Sequence, residues 1–234
     1  MEARHRLSQP RWVASQTYRY IREAIGSISP SRFASLYRQV KPLTMCSYAR
    51  LLALYRAVLY LEANQIPGDI VECGVAHGGS AAMMALTMSN QSRRLWMFDT
   101  FEGLPAPTEA DPDRHIGSLY TGAFRASVDE VQSSFQKLGI ASTATIVPGL
   151  FQETLPRWGG QSIALLHVDG DWYESVKATL KNLYDHVSTG GIIQFDDYGH
   201  WAGARRAVDE FMKSRDIKQP LRYIDFSGRQ LIKP

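Results

Sequence analysis

The stretch that decides the fold is DIVECGVAHGGSAAMMA, residues 69–85. It begins as a short apolar segment, passes through a glycine-rich turn and continues into the small residues of a predicted helix. Glycines let a backbone turn tightly and approach a ligand closely, and Ser80 can cap the helix that follows. The spacing from Gly74 to Gly78 matches neither the Gly-x-Gly-x-x-Gly of a dinucleotide site nor a phosphate-binding loop. The turn therefore suits a nucleoside, and the alternative is a purely structural β-to-α turn.

Apolar segments and helical patterns alternate beyond this turn, as they do in a parallel sheet covered by helices. The predicted strands are Asp69–Cys73, Leu95–Asp99, Ala144–Val147, Ile163–Asp169 and Gly191–Asp196. The predicted helices are approximately Ser47–Asn64, Gly79–Ser89, Ser127–Leu138, Tyr173–His186 and Ala204–Ser214. Two short segments, Leu221–Phe226 and Gln230–Lys233, are separated by Ser227-Gly228, which is a hairpin signal.

These elements predict an α/β fold with a doubly wound, mostly parallel, seven-stranded sheet that ends in an antiparallel hairpin. Prolines at positions 10, 30 and 42 divide residues 1–45 into short helices, so we expect an N-terminal helical extension there and one domain over residues 46–234. The long loop Leu104–Ala126 is a candidate substrate lid. The N-terminal helices are expected to form a second lid or a dimer surface, and a homodimer is expected.

Composition narrows the function classes. The formal net charge is only +3, and the N-terminal arginines are spread among aromatic and polar residues, which does not favour a nucleic-acid surface. No apolar run approaches the roughly 20 residues of a membrane span, and no signal-peptide pattern is present, so we expect a cytoplasmic protein that does not bind membranes. Two cysteines are too few for a disulfide framework, and Cys73 is expected to be a buried thiol.

Ligands of open α/β sheets lie beyond the carboxyl ends of the strands, so the residues at those ends are candidates for binding. The second strand ends at Asp99, whose carboxylate can accept hydrogen bonds from both ribose hydroxyls; the alternative is a capping aspartate. After the third strand, Phe151 can stack on an adenine ring and Gln152 can reach its edge. The alternative for Phe151 is packing in the core.

Acidic residues also end the fourth and fifth strands, at Asp169 and at the pair Asp196-Asp197. These strands are expected to be neighbours, so three carboxylates converge at one edge of the sheet. Like charges this close repel unless a proton or a cation is present, and oxygen ligands suit Mg²⁺ or Ca²⁺. The alternative is that each aspartate caps a loop or a helix singly.

Four long motifs resemble the macrocin O-methyltransferase family of class I S-adenosylmethionine-dependent methyltransferases, which have a Rossmann-like fold. The motifs are GDIVECGV (68–75), FDTFEGLP (98–105), HVDGDWYES (167–175) and GGIIQFDDY (190–198). The resemblance covers roughly residues 43–215. It implies an enzyme that uses S-adenosylmethionine and Mg²⁺ to methylate a hydroxyl, in particular a sugar hydroxyl of a natural product.

The resemblance also implies roles for individual residues. Glu72, Gly74 and Ser80 would line the cofactor site, Asp99 would hold the ribose, Gln152 would lie near adenine, and Thr44-Met45 would fold over the cofactor. Asp169, Asp196 and Asp197 would be the metal ligands, and Asp169 would belong to the cofactor site as well.

The base that accepts the hydroxyl proton cannot be carried over from the more distant catechol O-methyltransferases. Those enzymes have Asn at the third metal position and a Lys base three residues after the first ligand, where this chain has Asp197 and Trp172. Asp169 is one candidate base and His200 is a second, because histidine titrates near neutral pH. His77 could contact the carboxylate of the cofactor's amino acid moiety.

Two other classes of protein stay open from sequence. One is a nicotinamide-dependent oxidoreductase, which the missing glycine pattern disfavours. The other is a non-catalytic interaction protein with the same fold, which the three acidic residues at neighbouring strand ends disfavour.

Overall fold

The structure is a computed structural model, and it describes residues 31–89, 92–160 and 162–234. Its centre is a seven-stranded sheet in the order β3-β2-β1-β4-β5-β7-β6. The strands are β1 Asp69–Cys73, β2 Leu95–Asp99, β3 Ala144–Pro148, β4 Ile163–Val168, β5 Val187–Phe195, β6 Arg222–Tyr223 and β7 Arg229–Ile232. The first five are parallel to one another, whereas β7 runs antiparallel to β5 and β6 antiparallel to β7.

Eight α-helices are present among the described residues. They are α1 Arg32–Val40, α2 Tyr48–Ala63, α3 Gly79–Thr87, α4 Arg114–Gly117, α5 Val128–Lys137, α6 Phe151–Thr154, α7 Tyr173–Leu183 and α8 Ala202–Ser214. Serine caps begin α1, α2 and α5, since Ser31, Ser47 and Ser127 each accept a hydrogen bond from a backbone N–H of the first turn.

Helices cover both faces of the sheet, and neighbouring residues of each buried strand face opposite cores. Ile70 packs in the core formed with α1, α2, α3 and α5, whereas Val71 packs in the core formed with α7 and α8. A strand buried on both faces must be apolar almost throughout, which is why β1 and β4 were recognisable from sequence. The predicted doubly wound sheet, its mostly parallel order and its C-terminal hairpin are confirmed.

Two strand boundaries differ from the prediction by more than two residues. Strand β5 begins at Val187 instead of Gly191, a difference that arises because its first residues are polar and small and their sequence is typical of a turn. The pairing of β5 with β4 shifts register between Val187 and Ile192. In the hairpin, β6 ends at Tyr223, so the connection is longer than Ser227-Gly228 alone. Asp225 stabilises this longer turn by accepting hydrogen bonds from the N–H groups of Ser227 (3.0 Å) and Gly228 (2.7 Å).

Helix α1 contributes Phe33 and Tyr37 to the same core as α2, and the rings of these two residues lie 6.0 Å apart. The division at residues 45 and 46 stays a prediction, and the predicted helices before Pro30 lie outside the described residues. Within the described ranges, no helix combines the length and the apolar character needed to span a membrane.

The strand order reverses direction between β1 and β4, and a crevice opens beyond the carboxyl ends of strands at such a point. Gly74 follows β1 there, with φ +98°, a conformation that side-chain-bearing residues rarely adopt. A Cβ at this position would lie 1.7 Å from the carbonyl oxygen of Asp169. Gly74 therefore lets the glycine-rich turn after β1 approach the end of β4.

Candidate active site

One cavity of about 640 Å³ lies at this edge of the sheet, within the usual size range of small-molecule sites. Most of the predicted site residues line it: Thr44, Met45, Gly74, Ser80, Asp99, Phe151, Gln152, Asp169, Asp196, Asp197 and His200. Residues predicted separately for a cofactor and for a metal therefore share one space. The fold brings most of them there from the carboxyl ends of the five parallel strands, whereas Thr44 and Met45 come from the segment before α2.

Asp99 is held against the glycine-rich turn. Its Oδ2 accepts hydrogen bonds from the backbone N–H groups of Val75 (2.6 Å) and Ala76 (2.9 Å), and its Oδ1 accepts one from Phe101 (2.9 Å). The structure thus shows the capping role, and it also leaves the residue on the cavity wall. Both roles are compatible, because an ionised carboxylate offers about four acceptor positions.

Thr44 packs against the first residue of α3, since a Cβ on Gly79 would lie 2.6 Å from Thr44 Cβ. The Met45 side chain is 53 % exposed at the cavity, as expected for a residue that closes over a ligand. At the third strand, Phe151 is largely buried against the core but still reaches the cavity, so packing and ligand contact are compatible for this ring.

Three aspartate side chains form a cluster at the cavity wall. Oxygens of Asp169, Asp171 and Asp197 lie within 4.8 Å of one another. Asp171 has φ +53°, and its backbone N–H donates to Asp197 Oδ2 (3.1 Å). Sequence reasoning missed Asp171, although the Asp-Gly-Asp spacing after β4 was a usable signal.

The charges in this cluster raise one another's pKa. Burial and the neighbouring aspartates hold the pKa values of Asp169 and Asp171 well above the ordinary range, and they raise that of Asp197 to about 6. The donor atoms of Asp169, Asp171 and Asp197 are all carboxylate oxygens, which suit a hard divalent cation such as Mg²⁺.

Asp196 differs from the neighbouring aspartates because basic side chains balance its negative charge. Arg50 forms an ion pair with its Oδ2, and His167 Nε2 lies 3.4 Å from its Oδ1. Burial favours a higher pKa for Asp196, but Arg50 and His167 outweigh it and lower the pKa. Arg50 also contacts Asp225 (3.4 Å), and nothing in the helical pattern of α2 identified it as a site residue.

Glu72 is fully buried behind the cavity and is not among the residues that line it. Its Oε1 lies 2.7 Å from His167 Nδ1, so His167 connects Glu72 to Asp196. Burial favours a lower pKa for His167, whereas its hydrogen bonds to the two carboxylates raise it to about 9. His167 is fully buried within the sheet, and Glu72 lies behind the cavity wall instead of lining the cavity as predicted.

The two other candidate histidines are both exposed. His200 lines the cavity, with its ring 4.7 Å from that of Trp201 and nearly perpendicular to it. His77 is not among the lining residues, so the structure does not bring it to the predicted position beside the cofactor.

The long loop between β2 and α5 forms one wall of the cavity through Leu104, Pro105, Tyr120 and Phe124. Within this loop, buried Asp111 accepts hydrogen bonds from the N–H of Tyr173 (2.7 Å) at the start of α7. Trp172 Nε1 donates to the carbonyl of Pro105 (2.7 Å). The predicted lid is therefore tied to the helix that follows the loop carrying Asp169 and Asp171.

A doubly wound sheet with an added antiparallel hairpin, a nucleoside-type turn after β1 and an acid after β2 define a class I methyltransferase. A family model described as Macrocin-O-methyltransferase (TylF) matches residues 28–231. The chain belongs to this family, and it is an O-methyltransferase with the S-adenosylmethionine-dependent fold. This membership supports neither the oxidoreductase nor the non-catalytic alternative.

Individual relatives agree with the family. The chain is 33 % identical over 195 residues to 8-demethyl-8-(2,3-dimethoxy-alpha-L-rhamnosyl)-tetracenomycin-C 4'-O-methyltransferase of Streptomyces olivaceus, covering 79 % of this chain and 73 % of the relative. It has the same identity and coverage with demethyldecarbamoylnovobiocin O-methyltransferase of Streptomyces niveus. The solved structure of the O-methyltransferase NovP superposes with a TM-score of 0.73, at 32 % identity and 82 % coverage of both chains.

Proposed function

We propose that the protein transfers the methyl group of S-adenosylmethionine to a sugar hydroxyl of a small glycosidic natural product, with Mg²⁺ held by the acidic cluster. One observation carries the proposal: the nucleoside-type turn and the three carboxylates of Asp169, Asp171 and Asp197 share a single cavity. The names of the relatives support the acceptor class, since they describe O-methylation of a rhamnosyl tetracenomycin and of a novobiocin precursor.

The donor would lie along the turn after β1. Asp99 would bind a ribose hydroxyl with the one acceptor position that its three backbone donors leave free, and Phe151 and Gln152 would flank the adenine. Gly74 permits the close approach, Ser80 lies at the start of α3, and Thr44-Met45 would cover the ligand.

Replacing Asp99 by Asn tests the donor site. Wild-type protein should bind S-adenosylhomocysteine in calorimetry at micromolar Kd, and Asp99→Asn should weaken binding about 10- to 100-fold through lost charge-assisted hydrogen bonds. Asn is preferable to Ala because it keeps one oxygen for the backbone donors of the turn. Asp129→Asn, the same change at an exposed position on α5, should bind like wild type. Unchanged affinity in Asp99→Asn would remove Asp99 from the ribose site.

The metal site would use Asp169 and Asp197 in either possible ligand set. The third ligand is Asp196 in the set predicted from sequence, or Asp171 in the set that the donor distances favour. Asp171 accepts a hydrogen bond from Trp201 Nε1 (2.9 Å) and forms no salt bridge within the described part of the chain, whereas Asp196 is paired with Arg50 and His167. A bound Mg²⁺ supplies Lewis-acid activation, which lowers the pKa of a coordinated hydroxyl.

The chain's own residues then have to orient the acceptor and take its proton. The hydroxyl oxygen attacks the methyl carbon in line with the carbon–sulfur bond, that bond breaks, and S-adenosylhomocysteine leaves as a neutral thioether. Donor atoms of Asp169 lie within 4.8 Å of those of Asp171 and Asp197 and also within 4.8 Å of those of Cys46, His167 and Asp196. We assign the proton to Asp169, because it is the one residue that these two groups share. His200 is the alternative acceptor, because it also lines the cavity.

Substituting His200 separates these two bases. If Asp169 is the base, His200→Ala should keep kcat within about threefold of wild type, whereas loss of a true general base lowers kcat by about 10²–10⁴. His115→Ala is the matched control, since His115 is exposed on α4 and does not line the cavity. A drop of 10² or more in His200→Ala alone, with Mg²⁺ and cofactor binding intact, would transfer the role to His200.

A further inference from the structure

A second group of possible metal donors lies beside the acidic cluster, and it contains a thiol and an imidazole. The donor atoms of Cys46, His167, Asp169 and Asp196 all lie within 4.8 Å of one another. Cys46 and His167 are buried, and the proposed methyl transfer gives neither of them a step. Thiolate and imidazole ligands suit Zn²⁺ and related transition metals, whereas Mg²⁺ prefers oxygen. This group therefore differs in chemistry from the all-carboxylate cluster next to it.

The spacing of the donor atoms matches a tetrahedral metal site. Cys46 Sγ lies 3.7 Å from Asp196 Oδ1, and His167 Nε2 lies 3.4 Å from the same oxygen. Around a tetrahedral Zn²⁺, ordinary bond lengths place a sulfur about 3.5 Å and a nitrogen about 3.3 Å from a carboxylate oxygen. The separation of 3.4 Å is also longer than an ordinary N–H···O hydrogen bond. Small movements would therefore bring these three donors onto one ion.

His167 is held in the orientation that metal-binding histidines adopt. Its Nδ1 lies 2.7 Å from Glu72 Oε1, and its Nε2 faces Asp196 on the other side of the ring. Metal-binding histidines almost always donate their second ring N–H to a carboxylate, a carbonyl or a water, which fixes the ring and makes the free nitrogen a stronger ligand. This contact gives the fully buried Glu72 a role, although Glu72 does not line the cavity.

Arg50 leaves free the oxygen that the site needs. It pairs with Oδ2 of Asp196, whereas Oδ1 of the same carboxylate faces Cys46 and His167. Cys46, Asp169 and Asp196 line the cavity, so an ion in the cavity has direct access to three of the four donors. Binding would displace the protons that the thiol and the imidazole carry.

We propose that Cys46, His167, Asp169 and Asp196 form a Zn²⁺ site that is separate from the proposed Mg²⁺ site but shares Asp169 with it. Because both sites use this carboxylate, and because two divalent cations so close repel each other, bound Zn²⁺ should exclude Mg²⁺ and stop methyl transfer. The exclusion rests on the proposed function, since it requires Mg²⁺ at the acidic cluster. Binding of Zn²⁺ itself does not.

Cobalt is the probe for this site, because Co²⁺ replaces Zn²⁺ and its absorption spectrum depends on its ligands. The metal-free full chain would be titrated with CoCl₂. A thiolate ligand should add a charge-transfer band in the near ultraviolet to the strong visible bands of tetrahedral Co²⁺. Cys46→Ala should abolish the charge-transfer band, whereas Cys73→Ala, the same change at the second of the two cysteines, should keep it. Glu72→Gln should keep the band but weaken Co²⁺ binding about 10- to 100-fold, because it removes the charge behind His167.

Asp171→Asn separates the two sites, because Asp171 belongs to the acidic cluster alone and its variant should keep the band. Binding of S-adenosylhomocysteine verifies that each variant is folded. A wild-type cobalt spectrum without the band, a band that persists in Cys46→Ala, or a band lost in folded Asp171→Asn overturns the Zn²⁺ site.

Calorimetry tests the exclusion separately. The metal-free chain should bind Mg²⁺, and the chain saturated with Co²⁺ should not. Mg²⁺ binding that persists while the charge-transfer band is intact overturns the exclusion. A charge-transfer band in a chain that never binds Mg²⁺ refutes the metal role in the proposed function and leaves the Zn²⁺ site standing.

Discussion

Replacing Asp169 by Asn is expected to lower kcat/KM for methyl transfer by about 10³-fold or more. Asp169 belongs to both possible ligand sets and also lies within 4.8 Å of a second group of donor atoms, those of Cys46, His167 and Asp196, so its loss weakens either ligand set. Lewis-acid activation contributes several kcal/mol to a barrier, which corresponds to about three powers of ten in rate. Turnover would be measured with labelled S-adenosylmethionine, and Mg²⁺ affinity by calorimetry on the same preparation.

The same substitution should not destabilise the metal-free protein at neutral pH. Burial and the charges of Asp196 and Asp197 raise the pKa of Asp169, so its ionised form is unfavourable in the fold and neutral Asn removes that repulsion. Thermal unfolding in chelator should show a Tm equal to or above that of wild type. Asp129→Asn should change neither rate nor Mg²⁺ affinity. Near-normal turnover in Asp169→Asn would exclude this residue as both ligand and base.

Gly74→Ala is expected to lower the free energy of unfolding by about 2–5 kcal/mol, the largest stability effect among the substitutions considered. Two costs combine at this position: the φ of +98° is strained for any other residue, and the new Cβ would overlap the carbonyl of Asp169. Urea unfolding followed by circular dichroism measures the loss of stability. Because relief of the overlap must move the end of β4, S-adenosylhomocysteine affinity should fall as well.

Gly139→Ala separates these two costs. Gly139 follows α5 with φ +72°, but a Cβ there meets nothing within 4 Å. Its substitution should therefore cost only the left-handed strain, about 1 kcal/mol, and leave cofactor affinity unchanged. Equal losses in the two variants would show that the close approach of Gly74 to Asp169 contributes nothing.

The sheet was predictable because its central strands are buried on both faces. A strand such as β4 can bury both faces only if nearly every residue is apolar, and that pattern is local in sequence. The residues at strand ends followed from the same reasoning, since parallel strands end at one edge of the sheet. Asp99, Asp169 and Asp197 reached the cavity for that reason.

The partners of those residues were not predictable, because they depend on contacts between distant parts of the chain. Arg50 reaches Asp196 from α2, and Glu72 points away from the cavity to meet His167. Tyr223 reaches the cavity mouth only because the hairpin folds back across β5. No local periodicity records such contacts, so the charge balance of the site emerges only from the three-dimensional structure.

The central claim is metal-assisted methyl transfer from S-adenosylmethionine to a sugar oxygen. The most direct measurement follows a labelled methyl group from S-adenosylmethionine into glycosides extracted from the source cells, first with excess EDTA and then with Mg²⁺ restored. The account predicts no transfer in EDTA, recovery with Mg²⁺, and a product whose label is a methyl ether on a sugar oxygen. Full transfer in excess chelator, or label found on nitrogen, sulfur or carbon, would contradict it.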